Sequence, residues 1–587
     1  MAGRALASVH IASILERSFA CPNLPVNSSA LDNPLYYLVN FQQVLAWITQ
    51  RYDDLLDDQE RDFISTFASL PTAAQGLLVR MVMRKGTLFR VSKLSYAELG
   101  DTRQAVQPLL ALGWVDDHAA LDLAALFGLL RKDELAQCFK AHAGKGSERK
   151  AQWFERLLAL YPDAQPLSQW HPQLDDAVLS LSLNVMGLCD RLRLLYFGNL
   201  HQEWSQFVLA DLGIYRFETV GFSADSRGIT ARADIEVCQQ LHACRQALEL
   251  QAELAPLADQ ALAIDTANEW LRMRRGKLLF LIGQQAERQQ DWPLALKVYS
   301  ACGYPGARSR QIRVLERSAD YAQAMALLAR AQENPESDAE IQHLQRVLPR
   351  LQRQLGLATA RRAAARVVKR IDLTVPQQPG LSVEQRVSLH LAEEGAQVHY
   401  VENTLINSLF GLLCWPAIFA PLPGAFFHPF HSGPADLHSP DFYTRRAALF
   451  DQCLAALESH AWQTVIREHY HSKFGLQSPF VFWNVLSPPL LDVALQCLPP
   501  AHLRHWFTRL LQDIKANRTG MPDLIQFYPE QGRYRMIEVK GPGDRLQDNQ
   551  LRWLDFCARH EMPVEVCYVQ WEPQESLDEP VGGMPVG

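Results

Sequence analysis

The stretch GMPDLIQFYPEQGRYRMIEVKGPGD, residues 520–544, determines what the C-terminal part of this chain can be. Its runs DLIQFY and RMIEVK are predicted strands, and PEQGR between them is typical of a hairpin turn. Because side chains alternate along a strand, Glu538 and Lys540 share one face of the second strand. Two adjacent antiparallel strands bring Asp523 close to Glu538, so the sequence predicts two carboxylates and an ammonium in one cluster.

Such a cluster fits the hydrolysis of a phosphodiester. Carboxylate oxygens are hard ligands that bind Mg²⁺, and a neighbouring lysine can orient a water molecule as the ammonium or deprotonate it as the neutral amine. The reaction needs a metal to polarise the phosphate, generate hydroxide and stabilise transition-state charge. The spacing PD-x(14)-E-x-K is followed by a predicted helix at 545–560 and a strand at 564–569, and this order resembles the core of the PD-(D/E)xK nuclease superfamily.

Two further polar residues fall on predicted apolar helix faces. Glu402 precedes Leu405 and Leu409 by three and seven residues, which places it on their face of the helix. It is a candidate third metal ligand, with a salt bridge or placement at the helix N-terminus as the alternative. Gln550 lies on the stripe of the helix at 545–560, where it either contacts the metal site or DNA or caps neighbouring backbone.

Length and composition indicate a multidomain globular protein. The chain has 587 residues, 48% hydrophobic and 21% charged, which predicts three or four domains. A formal charge of −7 does not suggest a nucleic-acid binder, so any such partner must be held by local basic patches and by metal ions. No apolar run is long enough for a membrane span or a signal peptide. The eleven cysteines include no CxxC pair, which argues against a zinc finger and for a reducing cytosol.

One basic patch is predicted near the N-terminus. In LLVRMVMRKGTLFRVSKLSYAEL, residues 77–99, basic residues that include Arg84 and Lys85 are interleaved with aromatic ones. Such interleaving suits a phosphate backbone, and a solvated helix face is an equal alternative.

A second basic stretch is LLRKDELAQCFKAHAGKGSERKAQWFERLLAL, residues 129–160. It predicts two short amphipathic helices around a polar loop and resembles a SAP module, a small DNA-binding helix–loop–helix. Lys145, Arg149 and Lys150 would then face phosphates. A small helical hairpin with a polar loop is the alternative.

The middle of the chain, from about 230 to 370, is predicted to be helical. DWPLA at 291–295 is echoed by DYAQA at 320–324, which resembles degenerate tetratricopeptide-type hairpins. Such stacks usually bind proteins, or here they set the distance between domains. The Pro-bearing stretch LTVPQQPGLSVEQ, residues 373–385, is a predicted linker into the last domain.

His428, His431 and His438 lie close together in a Pro-rich segment. They lack a third or fourth ligand at fixed spacing, so no zinc site is expected. Arg445 and Arg446 follow them and are candidates for contact with DNA.

The segments GMPDLIQFY, IEVKGPGDRL and QLRWL resemble the VRR-NUC domain, and the chain from about residue 36 to 570 resembles the Fanconi-associated nuclease 1 family in a bacterial form. The resemblance implies a metal-dependent, structure-selective nuclease that cuts 5′ flaps, digests DNA from 5′ to 3′ and acts in interstrand crosslink repair. It also implies that Glu402, Asp523, Glu538 and the Val539 carbonyl bind one or two Mg²⁺ or Mn²⁺ ions, with Lys540 as the catalytic lysine.

The chain departs from eukaryotic members of that family in two respects. The cysteine spacing contains no ubiquitin-binding zinc finger. Asn549 stands where eukaryotic members have a lysine linked to capture of the 5′-phosphate, so Lys515 or Arg518 would have to take that role.

The predicted fold class is multidomain and mainly α, with a C-terminal α/β nuclease domain of the restriction-endonuclease-like PD-(D/E)xK type. The expected partners are branched DNA, 5′ flaps, nicked or gapped duplexes, and repair proteins, with no membrane. The predicted domains are a basic helical region at 1–120, a SAP-like module at 121–165, helical repeats at 166–375 and the VRR-NUC domain at 376–587.

Three functions compete at this level. The first is a 5′ flap endonuclease with exonuclease activity, favoured by the D…ExK set with Glu402. The second is a Holliday-junction resolvase, an activity of small dimeric VRR-NUC proteins that large appended domains would obstruct. The third is a scaffold whose repeats recruit repair proteins.

Overall fold

The structure is a computed structural model that describes residues 33–142, 149–204, 215–358, 368–377 and 380–572. The chain divides into two compact units. The first takes the described residues of 1–216, 221–242 and 422–430, and the second those of 217–220, 243–421 and 431–587.

Each longer helix of the first unit buries an apolar stripe. In the helix at Tyr36–Tyr52, Phe41, Leu45 and Ile48 recur at helical spacing and are buried. The next helix begins at a capping box formed by Asp57 and Glu60. The helices up to residue 197 are α1 (Tyr36–Tyr52), α2 (Asp58–Ser69), α3 (Thr72–Val82), α4 (Thr102–Ala105), α5 (Gln107–Ala111), α6 (Leu123–Leu129), α7 (Lys132–Cys138), α8 (Lys150–Leu158), α9 (Leu167–Trp170) and α10 (Leu183–Phe197).

Two small antiparallel sheets accompany these helices. The strands are β1 (Leu88–Arg90), β2 (Val115–Asp116), β3 (Ala120–Leu121), β4 (Gln165–Pro166) and β5 (Val178–Leu181). β5 lies between β1 and β2, and β3 pairs with β4. Helices α6 to α9 surround an aromatic core that includes Phe127, Phe139 and Trp153. The two short helices predicted around the polar loop of residues 129–160 are therefore confirmed as α7 and α8.

Seven helices follow between the described residues 232 and 354, and the last six of them pack on one another in sequence order. They are α11 (Arg232–Glu249), α12 (Leu254–Ala263), α13 (Glu269–Arg288), α14 (Trp292–Ser300), α15 (Ala307–Arg317), α16 (Tyr321–Glu333) and α17 (Asp338–Gln354). Asp291 and Asp320 are the N-caps of α14 and α16, each accepting a backbone N–H, and Ala295 and Ala324 are fully buried. The repeated Asp–aromatic–Ala pattern thus marks a helix start followed by a close helix contact. The assignment of these helices to tetratricopeptide repeats stays a prediction.

A five-stranded mixed sheet forms the core of the C-terminal domain. Its strands are β6 (Lys369–Val375), β7 (Gln397–Tyr400), β8 (Leu524–Tyr528), β9 (Arg533–Lys540) and β10 (Val564–Trp571), in the order β6-β10-β9-β8-β7. β10 is parallel to β6 and β9, whereas β8 is antiparallel to β7 and β9. The hairpin and the final strand predicted from the sequence are confirmed.

The remaining helices pack around this sheet, and among them α26 is the predicted helix between the hairpin and the last strand. These helices are α18 (Val383–Leu391), α19 (Leu405–Leu413), α20 (Trp415–Ile418), α21 (Ala447–Ala455), α22 (Ala461–Ser472), α23 (Pro488–Cys497), α24 (Pro500–Gln512), α25 (Ile514–Asn517) and α26 (Asp548–Arg559). The linker predicted at 373–385 is wrong at both ends, because its first residues belong to β6 and its last to α18. In the part of the chain that the structure describes, no helix has the length and apolarity needed to cross a bilayer.

Candidate active site

The β8–β9 hairpin brings the two acids of the motif together. In its register Leu524 lies opposite Ile537, so one step outward Asp523 lies opposite Glu538. The Val539 N–H donates a 2.8 Å hydrogen bond to Asp523 Oδ2, which fixes the orientation of this carboxylate. The juxtaposition follows from the antiparallel pairing, as the alternation of side chains along the hairpin indicated.

Lys540 and Glu538 form a buried ion pair on one face of β9. The distance from Lys540 Nζ to Glu538 Oε1 is 2.7 Å, and the Glu538 side chain is 0% exposed. The contact lacks hydrogen-bond geometry, and among the described residues neither oxygen of the Glu538 carboxylate has a hydrogen-bond partner. A buried carboxylate without donors is energetically costly and calls for a cation.

The pKa values of both acids are raised, first by burial and then by the negative charge of neighbouring carboxylates. Burial, followed by the charge of Asp523, raises the pKa of Glu538 to about 8. Burial raises the pKa of Asp523 to about 6, and the charge of Glu402 adds to this effect. Lys540 lowers both pKa values but does not offset the burial. This donor set fits a divalent metal ion, because a cation would remove the electrostatic cost of ionising both acids.

Glu402 reaches the site from a different element than expected. It lies in the turn between β7 and α19, three residues before the helix begins, so its predicted place on the apolar face of that helix is wrong. The turn is attached to the site because the Val401 N–H donates to the Asp523 carbonyl at 2.9 Å and Met521 N–H to Asn403 Oδ1 at 3.1 Å. The position of Glu402 agrees with the alternative considered for it, placement near the N-terminus of the helix.

The Glu402 carboxylate accepts hydrogen bonds from the Tyr400 hydroxyl at 2.7 Å and from Asn403 Nδ2 at 2.9 Å. Its charge acts on both acids of the hairpin, but its oxygens do not join theirs in one tight group. Among the described residues, three such ligand atoms lie within 4.8 Å of one another at Asp116, Asp117 and His118, an exposed set of sequence neighbours that begins with the last residue of β2.

One acidic residue near the site was missed by the sequence analysis. Glu384 lies in the first turn of α18, and its charge raises the pKa of Asp523 and of Tyr400. A side chain at Gly541 would meet Val383 at 3.4 Å, which shows how closely the start of α18 approaches the end of β9. Nothing in the local sequence of α18 signals this contact, since it depends on packing between segments more than a hundred residues apart.

Gln550 serves the backbone of its own helix. Its Oε1 accepts the Gln547 N–H at 2.8 Å and forms the capping box of α26, the structural alternative considered for this amide. The same turn crowds Gly520, which has φ +89° and lies where an added Cβ would meet Asn549 at 2.7 Å. A contact of Gln550 with DNA stays a prediction.

The predicted DNA-binding residues of the first unit differ in their availability. Arg84 donates to the Lys93 carbonyl at 3.1 Å, and Lys85 forms an exposed 3.4 Å ion pair with Glu203. Lys150 donates to the Leu130 carbonyl at 2.6 Å.

The other candidates of the SAP-like stretch are Arg149 and Lys145. Arg149 is the exposed N-cap residue of α8, and Lys145 lies outside the described residues.

A basic cluster in the second unit gathers residues that are distant in sequence. Burial and then the charge of Lys515 lower the pKa of Lys277. Burial and then Arg518, Lys515 and Lys277 lower the pKa of His438. Lys515 and His438 line a cavity of about 640 Å³. Nothing in the local sequence signals that Lys277 and His438 lie near Lys515, because this proximity is created by tertiary packing alone.

Arg446 is not available to DNA. Its side chain is fully buried, and Nη1 and Nη2 donate to the Asp436 carboxylate at 2.8 and 2.9 Å. Arg445 donates to the same carboxylate at 2.7 Å. The predicted contact of Arg446 with DNA is therefore wrong, since both arginines brace the loop that contains Asp436.

A mixed sheet with an antiparallel Asp/Glu pair, a lysine on the same strand and a following helix and parallel strand defines a class. The arrangement is that of the PD-(D/E)xK nucleases, whose acids hold a metal ion against a phosphodiester.

Comparisons with known proteins narrow the class. Residues 35–116 match the FAN1 HTH domain, residues 120–170 the Fanconi anemia-associated nuclease SAP domain, and residues 457–571 the VRR-NUC domain. The sequence analysis predicted the second and third but only a helical basic region for the first.

The chain is 61% identical over 550 residues to the Fanconi-associated nuclease 1 homolog of Pseudomonas aeruginosa, covering 93% of this chain and 98% of that protein. It is 23% identical to human Fanconi-associated nuclease 1 and spans 62% of that protein's length. The crystal structure of paFAN1 bound to 2-nucleotide 5′-flap DNA with a gap superposes with a TM-score of 0.86, at 59% identity over 94% of this chain and all of that one.

The chain therefore belongs to the Fanconi-associated nuclease 1 family. As its resemblance to this family predicted, it is a metal-dependent, structure-selective DNA nuclease, and DNA is its partner.

Proposed function

We propose that this enzyme is a 5′ flap endonuclease with 5′-to-3′ exonuclease activity that acts in DNA interstrand crosslink repair. The observation that supports it most is the pairing of Asp523 with Glu538 beside Lys540, in a chain 59% identical to paFAN1, whose crystal structures hold 5′-flap DNA with a gap. The same cluster would serve a resolvase equally well, so substrate choice depends on how the rest of the chain holds DNA.

In this proposal Glu402, Asp523, Glu538 and the Val539 carbonyl hold one or two Mg²⁺ or Mn²⁺ ions. When bound, the metal supplies Lewis acidity at the scissile phosphate and lowers the pKa of the attacking water. The Val539 N–H holds the Asp523 carboxylate in place, and the Tyr400 hydroxyl and the Asn403 amide hold that of Glu402.

Lys540 acts on the water. Its ammonium lies beside the Glu538 carboxylate in a buried site, where it can donate a hydrogen bond to the attacking oxygen and orient it. Only as the neutral amine, after losing its own proton, could Lys540 accept the proton of that water. The low local dielectric strengthens this interaction relative to one in bulk water.

DNA is held by basic residues of several segments. Arg84 and Lys85 of the N-terminal region, and Lys145, Arg149 and Lys150 of the SAP module, would contact the duplex. Lys515, Arg518 and Gln550 would contact DNA next to the metal site. The proposed segments are a DNA-binding region at 1–120, the SAP module at 121–165, repeats at 166–375 that position or recruit partners, and the nuclease domain at 376–587. The boundary at 375/376 is corrected by β6, because residues 369–375 belong to the sheet of the nuclease domain.

The basic cluster of Lys277, Lys515, Arg518 and His438 would receive the 5′-phosphate that Asn549 does not bind. Its positive charges repel one another and lose solvation on burial, and a bound anion would offset both effects. Lys515→Ala should weaken binding of a 5′-phosphorylated flap more than that of a 5′-hydroxyl flap, measured by fluorescence anisotropy in EDTA. Equal weakening of the two would contradict this role.

The proposed activity is tested on one gel with labelled 5′-flap, 3′-flap and four-way DNA, in Mg²⁺, in Mn²⁺ and in EDTA. Selective, metal-dependent cutting of the 5′ flap is expected, and Asp523→Ala should abolish it while largely sparing binding. Preferential cutting of the four-way junction would replace the flap assignment with a resolvase. Unchanged cleavage by Asp523→Ala would refute the assigned site.

A further inference from the structure

A second, strongly basic cavity lies among the stacked helices. It has a volume of about 820 Å³, and its described lining comes from α15, the start of α16 and α17. Four of its lining residues are arginines and one is acidic. The arginines are Arg313 and Arg317 on α15 and Arg350 and Arg353 on α17, and the acid is Glu316. We call this cavity the arginine groove.

The positive charge of the arginine groove is only partly balanced. Arg350 forms a two-pronged ion pair with Glu316, at 2.7 and 2.9 Å, and Arg313 lies 3.1 Å from Glu287. Arg317 and Arg353 are exposed, and among the described residues neither forms an ion pair as short as 4.0 Å, although the charge of Arg317 lowers the pKa of Glu316 and Arg353 Nε donates to the Pro349 carbonyl at 3.2 Å. Two guanidinium groups on opposite walls are thus available to an anion.

The floor of the groove adds an unused polar atom. His343 Nε2 is buried and has no hydrogen-bond partner among the described residues. Burial and the charge of Arg350 lower the pKa of His343, so its ring is neutral near pH 7 and does not repel the arginines. A neutral imidazole can still hydrogen-bond to an oxyanion.

The groove continues toward the nuclease domain. Arg313 and His343 line both the arginine groove and the 640 Å³ cavity, and that cavity reaches Lys515 and His438 of the basic cluster. From Lys515 the chain runs through the end of α25 to Asp523 in eight residues. The two cavities are therefore adjacent, and the larger one is lined by Arg310, Arg313 and Lys515 and also by Glu336, Glu340 and Asp513. Together they connect the helical stack with the segment that carries the catalytic acid.

The size of the arginine groove and its guanidinium donors indicate which ligand it can bind. The groove has a volume of about 820 Å³, which admits a short run of one extended strand and no duplex. Arginine forks match the oxygens of a phosphate in two-pronged contacts. Arg313 and Arg317 are one helical turn apart, about 6 Å along the axis, and so can contact successive phosphates of one strand.

We propose that the arginine groove binds the single-stranded 5′ flap of the substrate through its phosphates. The proposal rests on the proposed flap activity and adds a second contact region, remote from the metal site, that only a long flap can reach. A flap of one nucleotide ends before the groove, whereas one of about twelve nucleotides enters it.

The test compares Arg317→Glu/Arg353→Glu with a matched control, Arg330→Glu/Arg533→Glu. The control changes the net charge equally at two exposed arginines outside the groove. Binding of labelled 5′-flap DNAs with 1- and 12-nucleotide flaps, and of a 12-nucleotide oligothymidine, is measured by anisotropy in EDTA. Circular dichroism and thermal unfolding of both variants check that they fold.

The groove variant should bind the 12-nucleotide flap and the oligothymidine about tenfold more weakly and the 1-nucleotide flap within twofold of wild type. Its log–log salt slope for the long flap should be shallower by about 1–1.5, as expected for two lost single-strand phosphate contacts. For the control variant, the change in affinity relative to wild type should be the same for the 1- and the 12-nucleotide flap.

Equal loss on both flaps, or none, would overturn the proposal. The proposal also fails if poly-glutamate binding depends on Arg317 and Arg353 while flap binding does not, since the groove would then dock an acidic protein segment. Cutting of the 1-nucleotide flap by wild type in Mn²⁺ tests the proposed function separately, because that substrate does not reach the groove.

Discussion

Glu538 is the residue whose environment is least compatible with a metal-free ground state. It is fully buried, its oxygens lack hydrogen-bond donors among the described residues, and its pKa is raised to about 8. A raised pKa in a carboxyl group means that the folded state holds the proton more tightly than the unfolded state. Its contribution to stability is therefore complete below about pH 4.5 and is lost as the pH rises to about 8.

Glu538→Gln should consequently stabilise the metal-free protein at high pH while it abolishes cleavage. We expect the free energy of unfolding at pH 8 in EDTA to rise by about 1 kcal/mol or more, with a smaller gain at pH 5. Urea unfolding at the two pH values measures it. Glu530→Gln, an exposed acid in the β8–β9 turn, is the control and should change neither stability nor activity. A variant less stable than wild type at pH 8 would show that Glu538 is not strained.

At Lys540, a role in the chemical step can be distinguished experimentally from a role in binding DNA or in packing. Lys540→Ala should lower kcat by about 100-fold or more, a typical contribution of proton transfer by a positioned side chain, with KM within about twofold. Lys369→Ala on β6, which removes an ion pair with Glu565 in the same sheet, should leave kcat unchanged. Steady-state cleavage of a 5′ flap in Mn²⁺ gives both constants. A rise in KM at constant kcat would make Lys540 a DNA-binding residue instead.

Among the elements, α17 connects the stacked helices to the nuclease domain through two ion pairs of different burial. Asp338 in its first turn accepts from Arg509 Nη1 of α24 at 2.7 Å, and Arg509 is buried and stacks on Trp553. Further along α17, Arg346 binds both oxygens of Asp548 in the first turn of α26, but this pair is largely exposed.

The two pairs should differ in energy because only one leaves a buried charge behind. Asp338→Asn should destabilise the protein by about 2–3 kcal/mol, since the Arg509 guanidinium then has no counter-charge. Asp548→Asn, the matched variant at the exposed pair, should cost about 0.5 kcal/mol or less. Chemical denaturation of the two variants at pH 7 provides the comparison. Equal costs would show that burial of Arg509 does not determine the strength of this contact.

At the scale of the whole molecule, a chain with a net charge of −7 binds a polyanion. The global field opposes this, so binding must come from local basic residues that displace counterions from phosphates.

Affinity for 5′-flap DNA should therefore depend steeply on salt, with a log–log slope of about −3 or steeper between 50 and 200 mM in EDTA. Lys277→Glu/Lys515→Glu should make that slope shallower by about 1–2. A slope near zero in wild type would mean that DNA is held without ionic contacts. Anisotropy titrations at several salt concentrations measure it, with the Arg330→Glu/Arg533→Glu variant as the charge-matched control.

The local features of this protein were determined by its sequence. The β8–β9 hairpin, the antiparallel meeting of Asp523 with Glu538, the helix that follows and the Asp N-caps of α14 and α16 all rest on rules that act within a few residues. Alternation along a strand and capping at a helix start are set by covalent geometry and short hydrogen bonds, so a single sequence suffices to predict them.

Only the tertiary structure decided the contacts between distant segments. It put Glu402 in a turn attached to Asp523, brought Glu384 to the same site, gathered Lys277 with Lys515, and made residues 369–375 an edge strand. These contacts depend on which buried faces pack together after the chain has crossed the domain. No local periodicity encodes that choice, because the same helical or strand pattern is compatible with many partners.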